Sequence, residues 1–79
     1  MHKKILIENI DKIHTTEMGV GRIQKNLGIT SNVVSYCKDK IKKDDAIVSK
    51  KGKNYYAEVD ECIITINSSS FTIITAHKI

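Results

Sequence analysis

Residues 54–67 read NYYAEVDECIITIN, and this stretch decides the fold. β-Branched and aromatic side chains fill both flanks of Asp60 and Glu61, and apolar residues recur at every second position, the period of a strand with one buried face. A two-residue turn at Asp60 and Glu61 predicts a hairpin that sets Tyr55, Ala57 and Val59 beside Ile66, Ile64 and Cys62.

Working outward, Ile47 to Lys50 reads as a strand before this hairpin and Phe71 to Ala76 as one after it, across a loop from Asn67 to Ser70. The expectation is a four-stranded antiparallel meander. One register serves the last three strands, placing Phe71, Ile73 and Thr75 on the core face and turning Tyr56, Ile63, Ile74 and Ala76 the other way. That second face reads as more apolar than solvent favours, so a homodimer or larger homo-oligomer through the sheet face or its edge is expected.

Before Ala46 the period is helical. Leu6, Ile10 and Ile13, then Val20, Ile23 and Leu27, then Val33 or Val34, Cys37 and Ile41 each mark one helix face. Thr15 or Thr16 can cap the second helix, Gly28 can end it in the left-handed region, and Thr30 or Ser31 can cap the third. The fold class expected is α+β, with two to three N-terminal helices packed on a C-terminal four-stranded antiparallel meander, in a single domain over residues 1–79.

With 79 residues the chain can hold one small core, for which assembly is a common supplement. Cys37 and Cys62 fit no CxxC or Cys/His ligand spacing, so two reduced buried thiols are expected, with no metal and no cofactor. Only three apolar residues follow Lys4 before Glu8 and Asn9, which does not read as a secretory signal, and no apolar run reaches membrane-spanning length. A soluble, cytoplasmic protein that avoids membranes is the expectation. The net charge of +4 is matched by the segment Lys38 to Lys53 alone, where seven lysines face Asp39, Asp44 and Asp45. Such a segment attracts nucleic acid or another polyanion, or serves simply as a solvated surface.

The block IHTTEMGVGRIQKNLG at residues 13–28, together with FTIITAHK at residues 71–78, resembles a family of small bacterial proteins that carries no assigned function. The resemblance covers nearly the whole chain. It implies no activity, and it draws attention to His14, Thr15, Thr16, Arg22, Lys25 and Asn26, and to Thr72, Thr75 and His77.

Three chemistries can be built from these residues. His14, Thr15 and Thr16 precede a helix whose free N–H groups favour an anion, and Arg22 and Lys25, three apart, can reach a phosphate along one side of it. Thr75 and His77, two apart on a strand, can address the same ligand. If His14 met His77 in space, one imidazole could act as base and the other as acid in metal-independent RNA cleavage, in the manner of ribonucleases of the barnase and RelE type. Alternatively, Val20 to Cys37 is similar to a helix-turn-helix, and the lysine-rich hairpin after it to a wing, with Asn32, Ser35, Tyr36 and Lys38 facing DNA.

The plainer alternative for the threonines is helix capping, and for His77 an exposed chain end. The reading favoured by the sequence is a non-enzymatic, homo-oligomeric binder of a phosphate-bearing ligand, either a nucleotide-type signal or nucleic acid. Its site would comprise His14, Thr15, Thr16, Arg22, Lys25, Thr75 and His77, and small proteins of this kind often sequester such ligands in phages or mobile elements.

Overall fold

The computed structural model describes residues 2–79. Helix α1 (His2–Glu8) gives way to a 3-10 turn (Ile10–Lys12), followed by α2 (Glu17–Leu27) and α3 (Val33–Ile41). The strands β1 (Ile47–Lys51), β2 (Asn54–Val59), β3 (Cys62–Asn67) and β4 (Ile73–Lys78) then form one antiparallel sheet in chain order. This is the α+β meander that the periodicities predict.

The hairpin register is the expected one: Tyr55 pairs with Ile66, Ala57 with Ile64 and Val59 with Cys62. Asp60 and Glu61 both have positive φ, at 50° and 61°. That is the turn geometry whose twist matches the flanking strands, and it normally selects Asn-Gly or Asp-Gly. Asp tolerates the left-handed region, whereas Glu61 bears its cost without compensation. Glu61→Gly is therefore expected to stabilise the protein by about 0.5 to 1 kcal/mol, read as a rise in the midpoint of thermal unfolding.

The fourth strand departs from expectation. β4 begins at Ile73 rather than Phe71, and its pairing shifts by one residue: Ile66 faces Ile73 while the adjacent Thr65 faces Thr75, leaving Ile74 as an extra residue. A bulge of this kind reverses the inward and outward assignment of everything beyond it. Ile73 and Ala76 are both buried, and Thr75 shares the outer face with Tyr56 and Thr65. The expectation that Thr75 faces the core and Ala76 faces outward is thus corrected. The central row of the outer face becomes Ser49, Tyr56, Thr65 and Thr75, more polar than uninterrupted alternation suggests.

One core joins Leu6, Ile13, Ile23, Leu27, Cys37 and Ile41 from the helical half to Tyr55, Ile64, Ile66 and Ile73 from the sheet. Thr16 caps α2 by accepting a hydrogen bond from Gly19 N at 3.0 Å, and Gly28 ends it at φ 67°. Helix α3 is capped by Asn32, which accepts from Ser35 N at 2.9 Å, rather than by Thr30 or Ser31. Both cysteines are free and buried, and burial, with Cys62 adding, pushes the Cys37 thiol up to about 12. Neither is placed as a nucleophile. No described helix is long and apolar enough to cross a membrane.

Candidate functional site

The segment preceding α2 is zipped to the strand end of the sheet. His14 N donates to Phe71 O at 3.2 Å and Ile73 N donates to His14 O at 2.7 Å, a short parallel bridge that satisfies the outer edge of the chain just before β4. The His14 ring is fixed at both nitrogens. Nδ1 lies 2.8 Å from Lys12 O, and because a carbonyl only accepts, that nitrogen carries the proton. Nε2 is then the acceptor for the Thr72 hydroxyl at 3.1 Å, and Ser70 Oγ lies 2.8 Å from the same hydroxyl. The result is a hydroxyl–hydroxyl–imidazole–carbonyl chain on an exposed rim.

Thr15 and Thr16 are also committed to structure. The Thr15 hydroxyl donates to Ile73 O at 2.9 Å, and Thr16 is the α2 cap. Both hydroxyls fold over Gly19, where an added Cβ would overlap Thr15 Oγ1 and sit 3.2 Å from Thr16 Oγ1. Gly19→Ala should therefore lose about 1 to 2 kcal/mol, the displaced hydroxyls outweighing a helix-propensity gain of about 1 kcal/mol. Gly21→Ala, with nothing within 4 Å of the added Cβ, should gain stability on the same helix. Equilibrium urea unfolding of the two variants reads both signs.

Farther along α2 the side chains are open. Arg22 and Lys25 are exposed and form no ion pair among the described residues. Asn26, one turn after Arg22 on the same flank, places its Nδ2 3.4 Å from Thr75 Oγ1. Helix α2 thus lies along β4, with Thr15 at Ile73 and Asn26 at Thr75. Arg22 lies between Thr15 and Asn26 in the chain, and His77 follows Thr75 on the outer face.

His14 and His77 are not brought together. His14 bridges Thr72 while His77 pairs with Ile63, five residues on, which is about 16 Å along an extended strand. A two-histidine acid and base across one substrate therefore has no support in this arrangement. Among the described residues no second titratable side chain is hydrogen-bonded to the hydroxyl–imidazole chain at His14.

The basic segment also divides. Lys40 and Lys43 both reach Asp60 Oδ2, at 2.6 and 2.7 Å, which ties the end of α3 to the β2–β3 turn. Their hydrogen bonds hold the Asp60 carboxyl below its ordinary range, and the Asp60 bond raises Lys40 above its own. Lys50, Lys51 and Lys53 lie at the opposite end of β2, about 16 Å away. Asn32, named above as a candidate for facing DNA, spends its side chain on the α3 cap, and Tyr36 lies half-buried with the Lys40 ammonium 5.1 Å from its ring centre.

A family model, described as "Protein of unknown function (DUF3781)", matches residues 7–77. The chain belongs to this family. The DUF3781 match runs from α1 to β4 and so takes in both the zipped segment before α2 and the open Arg22 flank. No curated protein and no solved structure matches the chain.

Reading the sequence singled out His14, Thr15, Thr16, Arg22, Lys25, Thr75 and His77 without separating those that hold the fold from those left open. It missed Gly19 and Asp60. A glycine in the first turn of a threonine-capped helix is a usable signal for the former, whereas the lysine partners of Asp60 lie 17 and 20 residues away on another element.

Proposed function

We propose that this protein is a non-enzymatic binder of a phosphate-bearing ligand, a nucleotide-type molecule or nucleic acid, which it holds along the α2–β4 seam and sequesters, working as a homo-oligomer. The observation that supports the reading is the Asn26–Thr75 contact, which brings the flank of α2 carrying Asn26, with Arg22 one turn before it, to the strand residue Thr75, while Arg22 and Lys25 form no ion pair among the described residues. Arg22 supplies a planar fork suited to phosphate oxygens, Lys25 a point charge, and Asn26 and Thr75 neutral hydrogen-bonding groups. His14, Thr15 and Thr16 hold this surface in place from behind, as positioning residues. The described residues enclose no cavity at the seam, so the ligand lies across it.

The test is a thermal-shift screen against mononucleotides, cyclic nucleotides, single-stranded RNA and duplex DNA. A ligand at 100 times its Kd stabilises the native state by about 2.7 kcal/mol, a shift of about 10 to 20 °C for a chain this small. At least one phosphate-bearing class should produce it, and RNA incubated with the protein in chelator should stay intact. No shift with any class would remove the reading.

A further inference from the structure

We propose that the outer face of the sheet receives the base of a mononucleotide whose phosphate lies at the α2–β4 seam, with the ring of Tyr56 as its platform. The inference rests on the phosphate-binding reading above and names the other half of that ligand.

The seam and the outer face share one residue. The Thr75 hydroxyl lies 3.4 Å from Asn26 Nδ2 on α2, and Thr75 also heads the central row of the outer face, where it pairs with Thr65 and Thr65 with Tyr56. Two strand spacings carry this row about 10 Å from Thr75 to Tyr56, a span that one nucleotide covers from its phosphate to the far edge of its base.

Two groups in the row are left without protein partners. Thr65 is 6% exposed, and no other serine, threonine, amide or charged residue is buried among those described. Its hydroxyl takes no part in the side-chain hydrogen bonds of the described residues. No side-chain polar atom there is both sealed from solvent and unpartnered, so this hydroxyl opens onto the outer face. Held among packed side chains, it is a preformed donor and acceptor. Tyr56 is half-buried beside it. The rings of Tyr36 and Tyr55 each have a lysine ammonium against them, and Tyr55 also has the His2 ring, whereas the Tyr56 ring has neither kind of neighbour. An aromatic ring on an open sheet face is a stacking surface for a base.

Charge fixes the direction of the ligand. The central row, Ser49, Tyr56, Thr65 and Thr75, is uncharged and suits a neutral ring. Arg22 and Lys25 stand on α2, the helix that meets Thr75 through Asn26. Glu58, the single acid among the paired residues of this face, is two residues along β2 from Tyr56. There it repels a phosphate and accepts hydrogen bonds from a base amine.

The test is a calorimetric comparison of AMP, GMP, CMP and UMP with ribose 5-phosphate, which carries the phosphate and sugar but no base. At least one nucleotide should bind about tenfold or more tighter than ribose 5-phosphate, and Tyr56→Ala should bring it down to that level. Tyr56→Phe, which keeps the ring, should stay within about threefold of wild type. Thr65→Val should weaken the nucleotide by about threefold to tenfold while its thermal unfolding midpoint stays at or above that of wild type, because no protein hydrogen bond is lost. If ribose 5-phosphate binds as tightly as every nucleotide and Arg22→Ala weakens it, the seam stands and the base site is overturned. A nucleotide that requires Tyr56 but is indifferent to Arg22→Ala would uphold the base site and remove the seam. No binding by any of the five probes would overturn both.

Discussion

Ile64→Ala is expected to lower the stability of the protein by about 2 to 5 kcal/mol, the range for truncating a fully buried branched side chain. Ile64 sits on β3 between Ala57 and Ala76, two small side chains that cannot swing in to fill the space, and it is fully buried. A chain of 79 residues has a total stability of about 4 to 12 kcal/mol, so this one change can consume half of it. Ile74→Ala should cost under about 1 kcal/mol, because the bulge leaves Ile74 at 40% exposure on the far strand. Uninterrupted alternation would give Ala76 a similarly mild role. The bulge buries it instead, and Ala76→Leu should overpack the core by about 1 to 3 kcal/mol. Chemical denaturation of the three variants, read by far-UV circular dichroism, checks the order.

What could be read from the sequence, and what could not, divides by the range of the interactions. The Asp60–Glu61 hairpin was legible because a two-residue turn and a period of two leave a single register that buries the isoleucines. The Gly28 terminus was legible because only one glycine stands where α2 must stop. The α3 cap was ambiguous, since Thr30, Ser31 and Asn32 can each cap, and the last of the three prevails because the apolar face begins at Val33. The bulge left no local mark: IITAH holds no glycine or proline, and only the pairing of Thr65 with Thr75 reveals it. The zip between His14 and Thr72 spans 58 residues, a separation no periodicity reports. The candidate site therefore emerged from the sequence as one set of seven residues. In the structure, His14 and Thr15 serve the zip and Thr16 caps α2, while Arg22, Lys25 and His77 are exposed and Thr75 meets Asn26.

The same division separates the effects expected on binding. Thr16→Ala removes a cap and should cost about 1 kcal/mol of stability while leaving the open flank of α2 chemically intact. Arg22→Ala removes no described contact, so the fold should tolerate it, yet it takes away the one guanidinium on the seam. Loss of a charge-assisted hydrogen bond costs about 1.5 to 3 kcal/mol, which is roughly tenfold to a hundredfold in affinity. Lys51, at the opposite side of the sheet on β1, contributes only a screened attraction, and Lys51→Ala should change affinity by less than about threefold. Lys40 and Lys43, already engaged by Asp60, should matter less still.

The decisive measurement is a calorimetric titration of the wild-type, Arg22→Ala and Lys51→Ala proteins at low and high salt, using the phosphate-bearing compound that gives the largest thermal shift. The α2–β4 seam predicts that Arg22→Ala alone weakens binding by tenfold or more and that this difference persists at high salt. If affinity instead falls steeply with salt and Lys51→Ala weakens it as much as Arg22→Ala does, the ligand is a polyanion held by the lysine-rich hairpin, and the seam is not the site.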